Sequence, residues 1–237
     1  MGDSSGAEEL LQAEYDRLFP SSRRFALALK RLIDIPLAVG ALLGLGPAIL
    51  LVAWLVKRGS PGGAFYVQER LGRFGRPFRM VKLRTMVADA EHQGAGLAIE
   101  AGDSRITPIG KLLRATSFDE LPQLWNILRG DMSFVGPRPL PLVYLERWSE
   151  RQCLRLLVPQ GMGGWSQLLA RNEAPWPERL ELDSWYVEHW SLWLDVRIFL
   201  QTVGAVFGRR KVAAADGTVR EFTGQEAADT DAPPGVG

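Results

Sequence analysis

Ile35-Pro-Leu-Ala-Val-Gly-Ala-Leu-Leu-Gly-Leu-Gly46-Pro47-Ala-Ile-Leu-Leu-Val-Ala-Trp-Leu-Val56 is a run of 22 residues without a charge. As a straight helix it would measure about 33 Å, enough to cross a bilayer core of about 30 Å. Its flanks argue against a simple crossing. Arg23, Arg24, Lys30 and Arg31 precede it, and Lys57, Arg58, Arg70, Arg73 and Arg76 follow it. A single span leaves its basic excess on one side, whereas here both ends read as cytoplasmic. Gly46-Pro47 sits near the middle. Pro47 has no N–H to donate, and its ring crowds the carbonyl of Leu43, so a kink is expected. Two arms of about 18 Å each would enter one leaflet and return. The reading is a re-entrant helical hairpin or broken helix, with a kinked transmembrane helix or a buried soluble helix as the alternatives. A cleaved signal peptide is not expected, because the run starts late and lacks a small-residue cleavage site.

The rest of the 237 residues reads as soluble α/β structure with further membrane-facing surface. Composition is 46% hydrophobic and 23% charged, with a net charge of +1, which argues against a nucleic-acid-coated protein. A single cysteine, Cys153, excludes an internal disulfide and a cysteine-based zinc site. Two histidines, His92 and His189, lie far apart and make Ser-His-Asp chemistry a poor starting point.

Outward from the apolar run, the pattern is mostly helical α/β. Met1 to Ser22 is a polar lead with a helical pattern at Leu10, Leu11, Tyr15, Leu18 and Phe19. Ala64 to Gln68 and Phe78 to Arg84 read as two strands joined by a turn at Leu71 to Pro77, a hairpin. Ile109 to Ala115 reads as a short helix, and another starts near Ser117 and ends at Arg129-Gly130. Leu140 to Leu157 and most of Ala174 to Arg210 read as helical. Four of the eight tryptophans fall between Trp176 and Trp193. Trp185, Tyr186, Trp190 and Trp193, with Leu194, Ile198 and Phe199, suit an amphipathic helix at the headgroup level or in the core. The division expected is a polar lead over 1–29, the re-entrant membrane helix over 30–58, a catalytic domain over 59–210 and a disordered tail over 211–237.

Chemistry-bearing residues gather in the middle. Ser117-Phe118-Asp119-Glu120 before an apolar run reads as a capping box, with Pro122 near the helix start and Glu120 as the cap. The same place suits phosphate chemistry, since a helix N-terminus favours anions, and adjacent carboxylates provide a nucleophile and a divalent-metal ligand. Arg70, Arg73, Arg76, Arg79, Lys82 and Arg84 form a basic run without an acid, suited to an anionic lipid surface or to phosphate. Arg114 lies five residues before Asp119. Arg138 stands between Pro137 and Pro139, which fix its backbone as a phosphate clamp requires. Asp183, His189 and Asp195 are assigned ordinary surface or packing roles.

Several blocks occur in a set order. They are Lys30-Arg31-x-x-Asp34, the broken apolar run, Lys82-Leu-Arg84-Thr-Met86, Arg114-x-x-x-x-Asp119-Glu120-Leu-Pro-Gln-Leu-x-Asn126, Gly130-Asp-Met-Ser-Phe-Val-Gly-Pro-Arg138-Pro139 and Gly164-Trp-Ser-Gln167. Together they resemble the bacterial sugar transferase family, the monotopic phosphoglycosyl transferases, from about Lys30 to Arg210. The resemblance implies an enzyme of the cytoplasmic face of the bacterial inner membrane, held by a re-entrant helix. Its small cytosolic α/β domain would carry amphipathic interfacial helices. It implies transfer of a sugar-1-phosphate from a UDP-sugar to polyprenol phosphate with Mg²⁺, the first step of lipid-linked glycan or exopolysaccharide assembly. Downstream glycosyltransferases and membrane lipid are the further partners, and no nucleic acid is expected. Asp119 maps to the nucleophile that forms a phosphosugar-aspartyl intermediate, and Glu120 to the metal-binding partner. Lys82, Arg84, Arg114, Arg138 and Arg171 map to substrate binding, and Gly46-Pro47 to the break in the membrane helix. The family usually has Ser-Pro at that break, Arg-Pro-Gly-x-Thr where Pro159 to Gly163 stand, and Asn-Gly-Arg-Asn where Leu169 to Asn172 stand. These departures bear on sugar choice rather than on the reaction. The competing readings are a non-catalytic membrane scaffold of the same fold and a single-span protein with a basic nucleic-acid domain.

Overall fold

The computed structural model describes residues 4–90, 98–99, 102–170, 174–207 and 222. Helix α1 (Ser4–Leu18) is followed at once by α2 (Ser21–Gly59), which is 39 residues long. Tyr15 and Phe19 stack with ring centroids 5.0 Å apart, and with Trp190, Val187 and Leu157 they form one core cluster.

Helix α2 contains the whole apolar run, and Gly46 and Pro47 lie inside the helix rather than in a turn between two helices. Its buried residues are Leu27, Lys30, Asp34 and Ala38, then Ile49, Ala53 and Val56. The spacing of three and four puts each set on one face. Ala38 packs with Phe78, Met80, Leu124, Ile127 and Met132, while Ala53 and Val56 pack with Leu83 and Leu113. Both ends of the run are therefore docked on the same domain. Between them, Val39 to Ala48 has no buried residue, and Leu43 is 77% exposed. At this point an apolar cavity of about 370 Å³ separates Leu42, Gly46 and Ile49 from Val81, Pro122 and Trp125.

The expected hairpin is present. Strand β1 (Phe65–Leu71) pairs antiparallel with β2 (Pro77–Leu83) in a register that sets Tyr66 opposite Lys82. Helix α3 (Pro108–Thr116) follows, capped by Thr107, whose hydroxyl accepts from the N–H of Gly110 at 3.0 Å. The helix expected from Ser117 is shorter than the sequence implied. Ser117 adopts a left-handed backbone (φ 55) and ends α3, Phe118–Glu120 form a 3-10 turn, and α4 covers only Gln123–Arg129. Gly130 (φ 96) then turns the chain out of α4, a conformation that favours glycine.

Strands β3 (Met132–Val135) and β4 (Gln160–Gly163) make a two-stranded parallel pair that was not anticipated. Their crossover is not one helix over 140–157. It breaks into a 3-10 stretch, the short helix α5 (Glu150–Cys153) and a second 3-10 turn. A capping box forms here: the Ser149 hydroxyl accepts from the N–H of Gln152, and the Gln152 side chain accepts from the N–H of Ser149.

Helix α6 (Trp165–Leu169) leads to α7 (Trp176–Glu188) and α8 (Leu192–Phe207). The tryptophan-rich region is thus two helices, interrupted at His189. Trp185 stacks on His189 (4.3 Å) and on Trp165 (5.5 Å), and Trp190 is buried, while Trp193 is 77% exposed. Buried Lys30 donates to the carbonyl of Val135 at 2.9 Å and to Asp195, which also accepts from the Tyr186 hydroxyl (2.6 Å) and Trp190 Nε1 (3.1 Å). Asp195 is therefore a buried anchor joining α2 to α8. Of the tail expected over 211–237, only Phe222 lies among the described residues. It is buried against Leu140, Tyr144, Trp176 and Leu180.

Candidate active site

Asp119 and Glu120 occupy the 3-10 turn between α3 and α4. No side chain caps that turn, so the capping role expected for Glu120 is not what its carboxylate performs. Instead Glu120 Oε1 accepts from Lys82 Nζ at 2.8 Å and from Arg138 Nη2 at 2.6 Å, with Arg138 Nη1 at 3.5 Å from Oε2. Burial alone would raise its pKa, but Arg138 and Lys82 outweigh that and hold the carboxyl well below its usual range. Glu120 is thus a fixed anion. Asp119 differs. It is 9% exposed, and its carboxylate accepts no hydrogen bond from the described residues. Burial, and then the charge of Glu120, push its pKa up, while Lys82, Arg114 and Arg138 pull the other way.

Each basic group is placed by a separate element. Lys82 comes from β2, which is held to α4 by Asn126. The Asn126 side chain donates to the carbonyl of Arg79 (2.7 Å) and accepts from the N–H of Val81 (3.0 Å). This role for Asn126 follows from neither its spacing nor its residue type. Arg114, in the last turn of α3, donates through Nε to the Thr85 hydroxyl at 2.9 Å. Burial lowers its pKa, with Asp119 as the strongest opposing charge.

Arg138 is aimed by the backbone around Gly136. The N–H of Gly136 donates to the carbonyl of Gly163, and the N–H of Gly161 donates to that of Pro137, both at 2.9 Å. A Cβ on Gly136 would lie 2.3 Å from the carbonyl oxygen of Pro159, so only glycine allows this approach. Behind the loop, fully buried Arg155 donates from Nη2 to the carbonyl of Arg138 and to Asp183 Oδ2, both at 2.7 Å. Ser166, in the Gly164 to Gln167 block, donates to the other oxygen of Asp183 at 2.6 Å. The packing role expected for Asp183 is therefore that of a buried support for Arg138.

Of the basic candidates, Lys82, Arg114 and Arg138 are brought together around the dyad. Arg84 is not directed there. Its guanidinium donates to the carbonyls of Ser60 (2.9 Å) and Pro61 and to the Ser60 hydroxyl (3.0 Å), which closes the C-terminus of α2. Arg171 lies outside the described residues. Arg31 plays a matching part at α4, donating to the carbonyls of Ile127 and Leu128.

A carboxylate pair surrounded by basic groups, beside a long apolar helix, suits phosphoryl chemistry at a lipid surface. Residues 25–209 match the bacterial sugar transferase family. The chain belongs to that family. It is 41% identical over 207 residues to an uncharacterised sugar transferase of Bacillus subtilis, covering 84% of this chain and 97% of that one. It is 38% identical over 208 residues to a UDP-galactose-lipid carrier transferase of Erwinia amylovora, covering 82% of this chain and 43% of the relative. It is 41% identical over 189 residues to a UDP-glucose:undecaprenyl-phosphate glucose-1-phosphate transferase of Xanthomonas campestris, covering 76% and 39%. This sugar transferase chain thus spans nearly all of the Bacillus protein and less than half of the other two.

Proposed function

We propose that the protein transfers a sugar-1-phosphate from a UDP-sugar to a polyprenol phosphate. The observation that carries this is the contrast within the dyad: Glu120 is gripped by Lys82 and Arg138, while Asp119 beside it accepts no hydrogen bond from the described residues. Two relatives are named for this chemistry, one with UDP-galactose and a lipid carrier, the other with UDP-glucose and undecaprenyl phosphate.

The unengaged Asp119 carboxylate is the nucleophile. One of its oxygens attacks the sugar-bearing phosphorus, a P–O bond forms, and the bond from that phosphorus to the nucleotide phosphate breaks, releasing UMP. The polyprenol phosphate oxygen then attacks the same phosphorus. The Asp119–phosphorus link breaks, and the carboxylate is restored with the phosphosugar on the lipid. Lys82, Arg114 and Arg138 surround the dyad, where negative charge on the transferring group needs neutralising. Glu120 keeps Lys82 and Arg138 in register.

The residues present fit Mg²⁺. Among the described residues no cluster of three acidic, histidine or cysteine ligands exists, but this ion typically uses one or two carboxylates together with substrate phosphates. Glu120, whose Oε2 is its less engaged oxygen, would hold it together with substrate phosphates, and it would neutralise phosphate charge. Incubation with a panel of UDP-sugars and undecaprenyl phosphate should release UMP with at least one galactose, glucose or N-acetylated donor. Release should stop in excess chelator. No release from any donor would remove the catalytic reading in favour of a scaffold, and equal release with chelator would remove the metal.

The same reading places the enzyme on one leaflet at the cytoplasmic face, with its product available to downstream glycosyltransferases. Docking of both ends of the apolar run on one domain supports it, since a straight span would carry one end across the bilayer. Exposed Leu32, Leu43, Leu50, Leu51 and Trp54 on α2, Trp125 on α4, and Trp193 and Leu200 on α8 supply an apolar surface for lipid. In a Cys153→Ser background, cysteines placed at Arg24 and Arg58 should both resist an impermeant thiol reagent in intact cells. Labelling of only one would establish a true span. Pro47→Ala restores the missing backbone donor and should shift the protein towards that one-sided labelling.

A further inference from the structure

Arg179 lies in the first turn of α7, four residues before Asp183, so both share a face of the helix. That face is tied to the active site. Asp183 holds Arg155, and Arg155 holds the backbone carbonyl of Arg138, each at 2.7 Å. The oxygens of Asp183 are taken by Arg155 and Ser166, and neither serves Arg179. Arg179 instead sits over the ring of buried Trp176, with Cζ 4.4 Å from its centroid. Trp176 is backed in turn by Tyr144 (5.8 Å) and by Phe222 of the C-terminal segment (5.9 Å). Among the described residues, the Arg179 guanidinium has no hydrogen-bond acceptor and no acidic partner within bonding distance.

An arginine held in this way is under electrostatic stress. Burial, and then the charge of Arg138, pull its pKa down to about 10. The linked network contains Lys82, Arg114, Arg138, Arg155 and Arg179 against Asp119, Glu120 and Asp183, an excess of two positive charges. An anionic ligand offsets that excess, which Mg²⁺ at the dyad would enlarge. Among the described residues Arg179 bonds to neither carboxylate of the dyad: Glu120 is held by Lys82 and Arg138, and Arg179 stands on Trp176 instead. The phosphate it binds is therefore not the one held at the dyad, which Asp119 attacks.

We propose that Arg179, held on the Trp176 shelf, binds the nucleotide phosphate of the donor, the one that departs with UMP. This rests on the reading of the site as a UDP-sugar phosphotransferase. The rigid aromatic support limits the side-chain entropy lost on binding, and the planar guanidinium suits two oxygens of one phosphate.

Calorimetric titration of the full-length protein with UMP, alongside initial-rate kinetics, tests the proposal. Arg179→Gln should weaken UMP binding and raise the donor KM by about 10- to 100-fold, the loss of one charge-assisted hydrogen-bonding group. Arg179→Lys should recover part of that affinity. The KM for undecaprenyl phosphate should stay within about twofold of wild type. A merely structural role would lower the melting temperature without a selective change in UMP affinity. Unchanged UMP affinity in Arg179→Gln, or a rise confined to the lipid acceptor KM, overturns the assignment. Wild-type protein that binds no UMP would overturn the functional reading as well, so the two failures are distinguishable.

Discussion

Asp119→Asn should abolish sugar-phosphate transfer, lowering turnover by roughly 10⁴-fold or more, as removal of a covalent nucleophile does. The same substitution should leave the melting temperature unchanged or slightly higher. Asp119 accepts no hydrogen bond from the described residues, so none of those contacts is lost. Its charge is also disfavoured by burial and by Glu120 beside it, and the neutral amide relieves both. Stopped-flow or endpoint assay of UMP release, with thermal melting of the same preparation, checks the two halves together. A variant that melts far below wild type would mean that Asp119 is a structural residue. One that keeps more than a few per cent of activity would move the nucleophile elsewhere.

The second large effect is on stability. Lys30→Met should destabilise the fold by about 3–5 kcal/mol, because it leaves the carboxylate of Asp195 buried without its cation. Tyr186 and Trp190 still donate to Asp195, but neither carries a charge. The double variant Lys30→Met with Asp195→Asn should recover a substantial part of the loss, since the stranded charge is then gone. Denaturant unfolding in detergent or nanodiscs measures both. Equal destabilisation in the double variant would show that packing, not charge, joins α2 to α8.

These two residues also show what could be read from the sequence. The hairpin was legible because Ala64 to Gln68 and Phe78 to Arg84 are β-prone runs around a glycine-containing turn, although the first strand runs on to Leu71 and the pairing register had no local signal. The apolar run was legible as a helix. Its docking at both ends was not, because Lys30, Asp34 and Ala38 look like an ordinary helix stripe until Val135 and Asp195 are brought to them.

Local signals misled where tertiary partners prevailed. Ser117 to Glu120 has the pattern of a capping box, yet Ser117 ends the preceding helix and Glu120 turns to Lys82 and Arg138. The box that forms, Ser149 to Gln152, lay inside a stretch read as continuous helix. Strands β3 and β4 have four residues each, too short for periodicity to register, and their pairing depends on the close approach at Gly136. Arg84 sits in the same basic run as Lys82, and only the geometry separates the residue facing Glu120 from the one closing α2. Phe222 was hidden in an Ala-, Gly- and Asp-rich segment with no periodic neighbours, so nothing local marked it as the backing for Trp176.

The central claim is that Asp119 becomes covalently phosphorylated by the sugar-bearing phosphate while Glu120 does not. Intact-protein mass spectrometry after incubation with an accepted UDP-sugar and Mg²⁺, without lipid acceptor, tests it directly. The mass should rise by one sugar-phosphate, the added group should map to the peptide and residue of Asp119, and undecaprenyl phosphate should then discharge it. An adduct on Glu120, or UMP release that begins only once the lipid acceptor is present, would contradict the account.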